Sequence, residues 1–178
     1  MIREGGTASQ SDLNVLSMQG DHVWTALLHT AFTQLNADIS PDGHWLAYQS
    51  NESGRDEVHV RPYPNVQGGH WQISTAGGTR PVWARSGREL FYVDSAGHIT
   101  SVPVEVTPSF SAGNPTVISQ VATLPTSGHR NYDVSLDGRR FLIITNAVRK
   151  DGLSNPVQLN LVLNWNEELK RLVPAGRR

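Results

Sequence analysis

The sequence predicts an all-β fold, a partial β-propeller of about 3.5 four-stranded antiparallel blades with a short C-terminal helix. Three observations predict it. One pattern recurs three times without a gap, at Ala37–Tyr48, Pro81–Tyr92 and Tyr132–Ile143. Its turn pairs Asp42-Gly43, Ser86-Gly87 and Asp137-Gly138 stand 44 and 51 residues apart. Repeats of roughly 40–50 residues that open strand, glycine turn, strand are the signature of propeller blades. The second strand of each copy is largely apolar on both faces, as in a blade packed between two neighbours.

The elements follow in order. Residues 1–11 are polar and Gly-rich and read as a flexible N-terminus. Residues 12–30 hold Asp12–Leu16 and Val23–Leu28 around Gln19-Gly20-Asp21, a half blade. In residues 31–75, Ile39 marks the first strand, and Trp45 and Ala47 face away from Leu46 and Tyr48 in the second. The third is Glu57–Arg61 and the fourth His70–Thr75. Residues 76–119 repeat the scheme, with Gly97–Pro103 third and Pro115–Ser119 fourth. Residues 120–165 form an incomplete blade whose third strand is Val157–Leu163. In 166–178, Asn166 caps a helix carrying Glu167 and Glu168 first and Lys170 and Arg171 last, stopped by Pro174 and Gly176. An arc of this size does not close by itself and leaves edge strands open. A homodimer that closes one ring between two chains is the expected assembly.

Composition excludes several classes. Net charge is −1 with scattered Lys and Arg, which does not suit nucleic-acid binding. There is no Cys, hence no disulfide and no thiol catalysis. The first twelve residues hold no apolar core of a signal peptide, and no run reaches a membrane span. The sequence as given is expected in the cytoplasm, without membrane insertion. It contains no nucleophile elbow, no His-Glu-x-x-His, no P-loop and no EF-hand loop. His22, His29, His44, His59, His70, His98 and His129 show no helical metal-ligand spacing and read as surface and turn residues. Trp24, Trp45, Trp71, Trp83 and Trp165 read as packing between blades.

Ser40-Pro-Asp-Gly-His-Trp-Leu-Ala-Tyr48 and Ser50–Tyr63 resemble the WD40-like (PD40) repeat of TolB-type propellers. With Trp71–Thr75, Gly87–Tyr92, Asn131–Ser135 and Asn164–Leu172, the chain resembles the C-terminal propeller of bacterial serine/threonine protein kinases. The likeness covers about residues 12–174. It implies a sensing or protein-binding role. Ser86 and Leu136 depart from the repeat, at its turn Asp and Pro. The kinase signatures are absent, so kinase activity is not implied.

Propeller topology places the candidate site. First strands line a central channel, and the loops entering them share one face. Asn36, Asp38, Arg80, His129, Arg130, Asn131 and Asp133 fall there. Asp38 and Asp133 occupy equivalent positions and are candidate ligands for Ca²⁺. A bound cation would polarise an ester or lactone carbonyl, with His129 as base. Asp38, Asp133 and His129 are thus the candidate catalytic residues. Asn36, Arg80, Arg130 and Asn131 are candidate ligand-binding residues. The competing reading has both Asp side chains bonded to neighbouring backbone. Two functions stand on this sequence: a ligand- or protein-binding module without enzymatic activity, and a small calcium-dependent lactone or ester hydrolase.

Overall fold

The computed structural model describes residues 2–5, 11–107, 109–119, 123 and 128–144. All lie in the first of two compact units, Met1–Thr145 and Asn146–Arg178. The expected third strand at Val157–Leu163 and the helix in 166–178 lie outside the described residues. Every described element is a β-strand, and neighbouring strands run antiparallel.

The strands form four sheets that follow the repeats. The half blade has the order β1 (Ile2–Gly5), β2 (Asp12–Leu16), β3 (Trp24–Leu28). β1 falls within the stretch read as a flexible N-terminus; it gives β2 a second antiparallel partner along an edge otherwise open. Blade one runs β4 (Gln34–Ile39), β5 (Trp45–Ser50), β6 (Glu57–Pro62), β7 (Trp71–Gln72). Blade two runs β8 (Gly78–Trp83), β9 (Glu89–Asp94), β10 (Ile99–Glu105). Its fourth strand is split: β11 (Ser111–Ala112) pairs one end of β10 and β12 (Thr116–Val117) the other. Blade three opens with the hairpin of β13 (Tyr132–Val134) and β14 (Phe141–Ile143).

The three turns share one hydrogen-bond design. Gly43, Gly87 and Gly138 donate their amides to the carbonyls of Ser40, Ala84 and Ser135, each at 2.9 Å. Their φ values of +75°, +66° and +68° lie in the left-handed region that glycine adopts without strain. In the first copy the Ser40 hydroxyl donates to Asp42 Oδ1 at 2.5 Å and accepts the Trp45 amide at 2.9 Å. The third copy repeats this with Ser135, Asp137 and the Arg140 amide. In the second, where Asp is replaced, Ser86 Oγ accepts the Arg88 amide at 3.3 Å.

Alternation along the strands makes one apolar layer between each pair of neighbours. Leu46 and Tyr48, with Val66 of the same blade, face Leu13 and Leu28 of the half blade. Ala47, Val58, Val60 and Ile73 face Trp83, Leu90, Tyr92, Val102, Val104 and Phe110 of blade two. The Trp45, Trp71 and Phe110 rings close this layer, with centroids 5.0–5.6 Å apart. Val82, Phe91 and Val93 face Tyr132, Phe141 and Ile143 of blade three. Thus Trp45, Trp71 and Trp83 serve packing between blades, whereas Trp24 is exposed.

The innermost strands carry matched irregularities. The pairing of β4 with β5 shifts between Leu35 and Asp38, and that of β8 with β9 between Thr79 and Val82. Asn36 and Arg80 sit at the shifts with φ of +52° and +56°. Such bulges re-aim a strand and need outside support. The buried Gln49 side chain supplies it: its Oε1 accepts Asn36 Nδ2 at 3.0 Å and the Arg80 amide at 3.3 Å. Tyr132 then donates its hydroxyl to the Arg80 carbonyl at 2.8 Å. One hydrogen-bonded chain therefore ties three blades together. Replacing Gln49 with Leu removes the acceptor shared by both bulges. Urea denaturation of Gln49→Leu is expected to show a loss of about 1–3 kcal/mol; an unchanged midpoint would contradict the bracing role.

Candidate functional site

The inner strands of three blades converge on a cleft of about 400 Å³. Asp38, Val82, Trp83, Arg85, Arg130 and Asp133 contribute to its wall. A larger groove, about 1030 Å³, runs along the turn end and is lined by Asp42, Ser86 and Gly87 among others. Asp42 is committed to its turn there, so the smaller cleft is the better chemical site.

Asp38 is the best-anchored charge in the cleft. Its Oδ2 accepts the Trp83 amide of blade two at 2.9 Å, and its Oδ1 lies 3.7 Å from Arg130 Nη1. Trp83 Nε1 also donates to the Asp38 carbonyl at 3.3 Å. Burial pushes the carboxyl above its ordinary value; the Trp83 amide and Arg130 pull the other way, while Asp133 adds to the rise. Asp133 is exposed and its Oδ1 accepts the Val134 amide at 2.9 Å.

The other candidate residues lie elsewhere. Asn36 Nδ2 donates to Gly128 O at 2.7 Å as well as to Gln49, so its amide braces the bulge. Arg80 and Asn131 are buried, at 8% and 3% exposure. His129 is exposed and is not part of the cleft wall. The cleft thus gathers Asp38, Arg130 and Asp133, and adds Arg85.

A second constellation lies on the outer half of blade one. Glu52 follows β5, His59 is central in β6, and His70 immediately precedes β7. His59 Nδ1 is 3.0 Å from His70 Nε2 and 3.4 Å from Glu52 Oε1, and His70 Nε2 is 3.2 Å from the same oxygen. The cross-strand register sets His59 opposite Tyr48 and Gln72. The Tyr48 ring stacks on His59 with centroids 5.6 Å apart, and His70 covers it at 4.9 Å. Tyr48 Oη accepts Arg61 Nε at 2.8 Å. Burial holds both imidazoles below their ordinary pKa, against the pull of Glu52. Helical spacing rules do not find this group. The signal available was alternation in Glu57–Arg61, which sets His59 on the face opposite Val58 and Val60.

No protein-family model matches the chain, and no curated protein matches it. Among solved structures, 19 chains match. One is described as a TolB protein from Agrobacterium tumefaciens, with a TM-score of 0.50 at 16% identity. The match covers 65% of this chain and 45% of that one, so this chain corresponds to less than half of that structure. The fold is that of a TolB-like β-propeller.

The raised Asp38 pKa fixes the sign of a pH effect. Between the ordinary value of 3.8 and the higher folded value, the folded state holds a proton that the unfolded chain has released. Stability linked to Asp38 is therefore present at low pH and lost as pH rises through the folded pKa. Relative to Asp38→Asn, the native protein is expected to lose stability as pH rises from 3.8 toward neutrality. Urea midpoints across that range check it, and a parallel pH profile for both proteins would refute it.

Proposed function

We propose that this chain is a non-catalytic binding module whose inner-strand cleft holds a charge-bearing segment of a partner protein. The observation that carries this reading is the mixed-charge wall. Two carboxylates, Asp38 and Asp133, share the cleft with two guanidinium groups, Arg85 and Arg130. Such a wall suits a polar ligand with both signs of charge, since charge-assisted hydrogen bonds give orientation as well as energy. Fixed inner strands supply a preorganised frame.

A calcium-dependent lactone or ester hydrolase is the second reading, supported by Asp38 and Asp133 facing one cleft. It is the weaker one. One Asp38 oxygen already accepts the Trp83 amide and the other faces Arg130. A dication there must compete with both guanidinium groups.

The expected homodimer also belongs to this proposal. Leu142 takes the position at which Ala47 and Phe91 are buried by the following blade, yet it is 76% exposed. A second copy is the proposed cover for that face. Light scattering is expected to give twice the chain mass, and the mass of a single chain would remove this part.

Panning a displayed random-peptide library on the chain tests the cleft. Selected peptides are expected to bind more weakly at high salt and to lose about tenfold or more in affinity on Arg130→Ala. Binding untouched by Arg130→Ala and Asp133→Ala would overturn the proposal. Calcium-dependent hydrolysis of p-nitrophenyl butyrate that disappears in Asp133→Ala would transfer the conclusion to the hydrolase.

A further inference from the structure

We infer that Glu52, His59 and His70 form a three-ligand site for a zinc ion on the outer half of blade one. Among the described residues this is the group of three such side chains whose ligand atoms all lie within 4.8 Å of one another.

The geometry is that of a coordination shell. Around tetrahedral zinc with bonds of about 2.0–2.1 Å, neighbouring ligand atoms stand about 3.3 Å apart. Here the three edges are 3.0, 3.2 and 3.4 Å. A proton on His70 Nε2 can point to Glu52 or to His59, not to both; an ion at the centre engages all three lone pairs. Two imidazoles and one carboxylate favour zinc over calcium and magnesium, which take oxygen ligands.

The surroundings support the assignment. His59 is 1% exposed and locked between the Tyr48 and His70 rings, so its Nδ1 is fixed in place. Glu52 and His70 keep 22% and 35% of their side-chain surface open, which leaves a route for the ion and a fourth position for water or an exchangeable ligand. The nearby Arg61 charge is directed elsewhere: Nε donates to Tyr48 Oη and Nη1 to the Val66 carbonyl at 3.0 Å. Burial favours the neutral imidazoles, the form that binds metal. The ligands come from the β5–β6 turn, from β6 and from the approach to β7, so the ion would pin three successive segments of one blade. The site is independent of the Asp38 cleft.

Titration calorimetry of the chelator-treated full chain with zinc tests the inference, alongside thermal melting and the visible spectrum of the cobalt-loaded protein. The expected result is one ion per chain, a Tm rise of about 5 °C at saturation, and the intense visible bands of tetrahedral cobalt. His70→Ala and Glu52→Gln, with unchanged far-UV circular dichroism, should each weaken binding tenfold or more. Arg130→Ala should leave it unchanged. Absence of zinc binding, or native affinity retained in His70→Ala and Glu52→Gln, would overturn the site.

Discussion

The apolar layer between blade one and blade two is the contact on which the rest depends. Ala47, Val58, Val60 and Ile73 on one side meet Trp83, Leu90, Tyr92, Val102, Val104 and Phe110 on the other. Neither sheet can bury these residues by itself, because each is one strand layer thick. Burial stabilises by about 25 cal/mol per Å² of apolar surface, so ten side chains sealed in one layer outweigh any single polar contact nearby. The layer also sets the spacing at which Trp83 can donate to Asp38 and at which Gln49 can reach Arg80.

That spacing is what turns a stack of sheets into a site. Matched bulges at Asn36 and Arg80 carry positive φ, a conformation held by Gln49 from one side and Tyr132 from another. The strain is offset by tertiary hydrogen bonds, and Asp38, two residues beyond the first bulge, lines the cleft. Asp38 belongs to the same arrangement: a backbone amide of the neighbouring blade holds it, and partial withdrawal from water raises its pKa against the pull of that amide. The outer half of blade one obeys a different rule. There the Tyr48 and His59 rings pack on the half-blade side, and polar groups converge because three segments meet at the hairpin of β6 and β7.

Much of the fold was legible because turns and alternation are local. Gly43, Gly87 and Gly138 announce three turns of one backbone design, and Leu46/Tyr48 against Ala47 predicts two opposite faces, each packed on a neighbour. Asp38 and Asp133, equivalent in the repeat, both line one cleft. What was not legible is tertiary. Nothing in Asn36 or Arg80 signals a bulge, since the bracing acceptor is Gln49, thirteen residues from the first and thirty-one from the second. Arg80 and Asn131 look like channel residues by position, but both are buried. Glu52, His59 and His70 escaped because their spacing fits no helical rule; only the register of β5, β6 and β7 brings them together. Ser86 departs from the repeat's Asp, yet its hydroxyl still accepts the turn amide.

Native-state hydrogen exchange is the measurement that tests the central claim most directly. If the layer between blades one and two holds the structure together, the amides of β5, β6, β9 and β10 open as one cooperative unit with a common free energy. The account predicts that shared value, with β1 and the exposed turns exchanging more easily. Blade one opening at a free energy well below that of blade two would contradict it, because the blades would then be stable separately and the layer between them would not be the governing contact.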